Sequence, residues 1–143
     1  MKIGELAQIA QCTVETVRYY EKEGLLPAPT RTSGNFRLYG PKHLDRLRFI
    51  RNCRALDMSH DEIHTLLGLA DQPVAGCGAI NRVFDQHIAH VDERLQELVQ
   101  LKQQLGALRE RCQSEQAVDA CGILQGLAVM ETEPKHERHT HLG

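Results

Sequence analysis

The chain has no apolar run approaching the ~20 residues that a membrane span requires, so a membrane protein is not expected. Its first residues, Met1-Lys2-Ile3-Gly4-Glu5, lack the basic stretch and apolar block of a secretory leader. The expectation is therefore a cytoplasmic protein. The five cysteines are an odd number, which argues against a full disulfide framework. In a reducing compartment they point instead to metal binding, redox chemistry or core packing. No Cys–His pair stands in a recognisable catalytic setting, so enzyme activity is not expected. Proline is missing between positions 79 and 111, which leaves room for one long uninterrupted helix.

Charge is distributed unevenly. Met1 to Arg54 carries ten Lys/Arg against five Asp/Glu, whereas Ala55 to Gly143 carries seven against fourteen. A basic half followed by an acidic half suggests a nucleic-acid-binding head on a body that does something else.

The pattern Ile3 to Ala10 is apolar at helical spacing, a break follows at Gln11-Cys12, and Thr13 can cap a second helix running to about Glu21. Two short helices about a tight turn read as a helix-turn-helix whose second helix enters the major groove. Its outward side chains would be Thr13, Glu15, Thr16, Arg18 and Tyr19. They include an arginine suited to guanine edges or phosphate, and hydroxyls that can donate to phosphate. After Pro27 and Pro29, the run Arg31-Thr32-Ser33-Gly34-Asn35-Phe36-Arg37-Leu38-Tyr39 has turn residues followed by strand-like alternation. This predicts a wing whose Arg31, Arg37 and Tyr39 meet the phosphate backbone. Pro41 opens a helix to about Leu56. Ser59 then caps another, with Glu62 three residues on completing a capping box. Cys12 and Cys53 read as small buried hydrophobes. His43, His60 and His64 read as surface residues.

Three motifs, Val14-Glu15-Thr16-Val17-Arg18-Tyr19-Tyr20-Glu21, Gly24-Leu25-Leu26-Pro27 and Gly34-Asn35-Phe36-Arg37-Leu38-Tyr39, resemble the signature of the MerR family of transcription regulators. The resemblance extends from Met1 to about Leu127 and brings Tyr20 and Asn35 into the candidate DNA-binding set. It implies a homodimer on a pseudo-palindromic promoter, acting by distorting DNA beneath RNA polymerase on the same promoter.

Beyond the linker at Asp71 to Gly76, Phe84, Ile88, Val91, Leu95, Leu98 and Leu105 follow alternating four- and three-residue steps, interrupted at Lys102. So narrow a seam on so long a helix needs a partner helix. The expected fold is mainly α: a winged helix-turn-helix DNA-binding head plus a long antiparallel coiled-coil dimerisation helix. Its expected divisions are a head at 1–70, a linker at 71–78, the dimerisation helix at 79–111, a metal loop and short helix at 112–128, and a disordered tail at 129–143.

Cys77 and Cys112 stand thirty-five positions apart, at opposite ends of that helix. At ~1.5 Å per residue the separation is roughly 50 Å, so the two thiols of one chain cannot meet. In an antiparallel pair, Cys77 of one subunit approaches Cys112 and Cys121 of the other. Three converging thiolates suit a thiophilic ion. Gly76, Gly78 and Gly122 flank the thiols and would allow close backbone approach and amide hydrogen bonds to sulfur.

The family resemblance refines the ion. Cysteine rather than serine at position 77 implies a divalent metal, and Gln113 after Cys112 in a loop without histidine argues against zinc. Cys77-Gly78-x-x-Asn81, Cys121-Gly122-Ile123-Leu124 and the histidine-bearing tail resemble the cadmium/lead-responsive branch. The expected order is Cd(II), then Pb(II), Hg(II) and Zn(II). His87 and His90 share one helix face. With His136, His139 and His141 they form a possible second metal site, assisted by Asp85 or Glu93. The alternatives are a mercury- or zinc-responsive regulator of the same family, or a redox sensor in which Cys112 and Cys121 form a disulfide.

Overall fold

The computed structural model describes residues 1–72, 76–132 and 141–142. Its elements are α1 (Ile3–Ile9), α2 (Val14–Lys22), β1 (Thr30–Arg31), β2 (Arg37–Leu38), α3 (Pro41–Ala55), α4 (His60–Ala70) and α5 (Cys77–Glu110). A short 3₁₀ turn (Val118–Ala120) and a last helix, α6 (Gly122–Val129), follow. The chain forms two compact units, Met1–Phe84 and Asp85–Gly143, and the division falls within α5.

The ends of the head helices follow local chemistry. Thr13 caps α2 by accepting from the Thr16 amide at 3.0 Å. At α4, Ser59 Oγ accepts from the Glu62 amide at 3.1 Å while Glu62 accepts from the Ser59 amide at 2.9 Å, a complete capping box. Pro41 opens α3 behind Gly40. β1 and β2 pair antiparallel, with Thr30 opposite Leu38 and Arg31 opposite Arg37. Asn35 takes the left-handed conformation that the tip of this hairpin requires (φ 63°).

Two apolar clusters hold the head together. Leu6, Ala7, Ala10, Val17, Leu26, Tyr39 and Leu47 join α1 and α2 to the end of the wing. Leu25, Ile50, Cys53, Met58, Ile63, Leu66 and Leu67 join α3 to α4. Six side chains in these clusters are essentially sealed from water, and each contributes about 1.5–3 kcal/mol of burial. Cys53 lies in the core as expected.

Helix α5 carries the opposite pattern. Phe84, Ile88, Val91, Leu95, Leu98, Leu101 and Leu105 are all exposed. The apolar seam read from the sequence is therefore present and uncovered within one chain. The helix begins at Cys77 itself, two residues earlier than expected, so this thiol opens the helix instead of ending a linker. Among the described residues, no helix is long and apolar enough to cross a membrane.

Candidate DNA-binding face and metal centre

Helix α2 buries Val17 and half-buries Tyr20 between the two core clusters. It leaves Thr13, Glu15, Arg18 and Tyr19 exposed and Thr16 half-exposed. Burial raises the Tyr20 hydroxyl pKa above the ordinary phenol value, so Tyr20 remains a neutral packing residue. The Thr13 and Thr16 hydroxyls lie 2.9 Å apart and share the cap. Arg18 and Tyr19 are thus the large outward groups of this helix.

In the wing, Arg31 and Arg37 are exposed. Arg31 donates to Asn35 Oδ1 at 3.0 Å, so Asn35 shapes the turn and steadies the arginine. Arg37 donates to Glu21 of α2 at 3.1 Å. Tyr39 departs from its expected place at the phosphates. It is 2% exposed, packs just past the end of β2 with Leu6, Ala7 and Val17 of α1 and α2, and its hydroxyl donates to Glu21. Desolvation first, and then the Glu21 carboxylate, raise its pKa. Glu21, for which the sequence pattern suggests no role, therefore latches the wing to α2. Glu21 lines a hollow of about 510 Å³ together with Arg18, Lys22, Arg37 and Ile3. Three cations and one carboxylate leave the hollow net positive.

Two of the histidines read as surface residues have partners. His43 is buried, accepts from the Gly40 amide at 3.0 Å, and meets the Tyr39 ring edge-on. His60 lies 3.2 Å from the Tyr19 hydroxyl through Nδ1.

The second unit places the loop thiols. Cys112 follows the end of α5, and Cys121 is the N-cap of α6. The backbone amides of Leu124 and then Ile123, at the start of α6, lower the Cys121 pKa below the ordinary thiol value against some desolvation, and the neighbouring Cys112 side chain lowers it further. Cys112 also lies 3.6 Å from the Ser114 carbonyl. The structure therefore brings these two thiols together, both partly exposed and neither in a disulfide. Amide donation to sulfur is expected from the glycines, but Cys121 accepts no side-chain cap hydrogen bond, and the start of α6 acts on its sulfur electrostatically. Gly122 matters in another way, because a Cβ there would stand 2.3 Å from the Arg111 carbonyl oxygen. Among the described residues, Gly78 has one distant neighbour and Gly76 none, so among these three glycines close approach is seen at Gly122. Cys77 is exposed.

Of the second set, His136 and His139 lie outside the described residues. His87, His90 and His141 converge, each offering one nitrogen within 4.8 Å of the others. His141 stacks on His87 with centroids 5.2 Å apart, and meets His90 edge-on at 5.5 Å. Neither Asp85 nor Glu93 belongs to this cluster of described residues. His87 and Leu142 are buried.

Two family models match the chain: the MerR helix-turn-helix regulatory protein family over residues 1–69, and the MerR DNA-binding family over residues 44–108. A ZntR homolog of Haemophilus influenzae, named as a helix-turn-helix-type transcriptional regulator, is 54% identical over 78% of this chain and 82% of its own length. The chain belongs to the MerR family. A mercuric resistance operon regulatory protein of Bacillus cereus is 34% identical over 88% of this chain and 96% of its own. Among solved structures, a transcription regulator of Ralstonia metallidurans in complex with lead(II) superposes with a TM-score of 0.81 at 54% identity. That match covers 89% of this chain and 98% of the other. As a MerR-family member the chain is a DNA-binding transcriptional regulator and not an enzyme.

Proposed function

We propose that this regulator acts as a homodimer that senses Cd(II) or Pb(II). The ion is held by Cys112, Cys121 and the partner's Cys77, and its binding distorts the promoter so that polymerase can use it. The paired loop thiols carry this reading. Cys121 is biased toward thiolate by the start of α6, and Cys112 stands beside it. Two thiolates neutralise a divalent ion, and a third leaves a net charge of −1, a soft donor set suited to large thiophilic ions. The relative solved with lead(II) supports the choice of ion. The relative named for mercuric resistance keeps Hg(II) next in order. The uncovered seam on α5 supports dimerisation. Metal shifts the equilibrium only by binding the promoter-distorting state more tightly than the resting one.

His87, His90 and His141 are proposed as a second site for a borderline ion such as Cd(II) or Zn(II), with His136 and His139 as further candidate donors. Imidazole nitrogens suit such ions better than they suit lead.

The test is a titration of reduced, metal-free protein with cadmium, lead, mercury and zinc, followed by thiolate-to-metal charge-transfer absorbance. One thiolate-bound ion per subunit, weakened by Cys77→Ser, is expected. Indifference to Cys77→Ser would defeat the shared site. Activity that instead tracked oxidation of Cys112 and Cys121 would favour the redox reading, which the proximity of the two thiols also supports.

A further inference from the structure

His60 opens α4, and its half-buried ring faces α2. Its centroid lies 5.5 Å from the Tyr19 ring and 6.2 Å from the Tyr20 ring. Its Nδ1 stands 3.2 Å from the Tyr19 hydroxyl oxygen. Both sides of this contact are firmly set. The Ser59–Glu62 capping box fixes the first turn of α4, and the Thr13 cap fixes the first turn of α2. Tyr19 remains 44% exposed beyond the contact.

Donor bookkeeping gives the contact a consequence. A phenol has one hydrogen to donate, and the free oxygens of a DNA phosphate diester only accept. If Tyr19 donates its hydrogen to His60, none remains for a phosphate. If instead His60 donates through Nδ1–H to the phenol oxygen, the hydrogen of Tyr19 is free to point outward. The second arrangement also strengthens the outward bond, because donors in a chain polarise one another.

We propose that His60 is a positioning residue for DNA binding: in the complex its Nδ1–H donates to Tyr19 Oη and directs the Tyr19 O–H at a backbone phosphate. This rests on the reading that Tyr19 meets DNA, and the experiment separates the two. Equilibrium binding is measured on a duplex selected by the wild-type protein from a random-sequence pool. The proteins are wild type, Tyr19→Phe, His60→Ala, His60→Asn and the double variant Tyr19→Phe/His60→Ala. Asparagine places an amide N–H close to where Nδ1 stands and keeps the donor. Tyr19→Phe should weaken binding about two- to tenfold, the range of one net hydrogen bond. His60→Ala should weaken it similarly, and His60→Asn should stay within about twofold of wild type. In the Tyr19→Phe background, His60→Ala should add nothing. A full effect of Tyr19→Phe with no effect of His60→Ala would overturn the positioning role alone. A loss at His60 that persists in the Tyr19→Phe background, or that asparagine does not rescue, would also overturn it. No effect of Tyr19→Phe would remove the underlying reading and the inference with it.

Discussion

At the scale of single residues, the loop thiols depend on one glycine. A methyl group at position 122 would press on the Arg111 carbonyl from 2.3 Å, a backbone atom that cannot step aside. Gly122→Ala should therefore move Cys121 away from Cys112. We expect metal affinity measured by charge-transfer titration to fall by roughly tenfold or more, the factor that about 1.4 kcal/mol of misplacement produces. DNA binding by the separate head should persist. Gly106→Ala is the control, since among the described residues nothing lies within 4 Å of its added methyl and alanine favours the helix by about 1 kcal/mol. The thiols should also differ in reactivity. The amides of Leu124 and Ile123 lower the Cys121 pKa, whereas burial raises those of Cys12 and Cys53. Alkylation of metal-free protein near neutral pH, read by peptide mass spectrometry, should label Cys121 well before the half-buried Cys12 or the buried Cys53. The sign for stability follows. A pKa lowered on folding stabilises the loop fully above the unfolded value of 9.0 and ceases to do so as pH falls through the folded one.

At the scale of elements, α5 contains its own weak point. Lys102 occupies the seam between Leu98 and Leu105, both exposed in the single chain. A lysine at one seam position fixes register at a cost in stability. Lys102→Leu should tighten the dimer by about 1 kcal/mol per protomer, measured by sedimentation equilibrium. An unchanged dimer constant would place the seam elsewhere on the helix. The elements that were legible in the sequence are those closed by neighbours along the chain. The Thr13 cap, the Ser59–Glu62 box, the Gly34-Asn35 turn and the seam itself all rest on residues a few positions apart. What the pattern missed is non-local. Alternation puts Arg37 and Tyr39 on the same side of the strand, but does not show which element that side meets, so the bonds of both to Glu21 were hidden. His60 with Tyr19, and His141 on His87, join residues more than forty positions apart. In the candidate metal centre, the approach of Cys112 to Cys121 was readable because one short loop joins them. That Cys77 opens α5 was obscured by Pro73 and Gly76, which read as a longer linker.

At the scale of the whole molecule, a DNA-binding head is joined to a sensor body through one helix. The 34 residues of α5 span about 50 Å, with one thiol at its first residue and the loop pair beyond its last. In the proposed dimer, each metal site takes two sulfurs from one polypeptide and one from the other. That arrangement has a genetic consequence. A subunit carrying Cys77→Ser and a subunit carrying Cys112→Ser are each defective as pure dimers. In a mixed pair, the Cys77→Ser subunit supplies an intact loop and its companion supplies an intact Cys77, so one complete site returns while the other is doubly broken. Two inactive alleles expressed together should complement each other, and the refolded mixture should bind about one thiolate-held ion for every two hybrid chains.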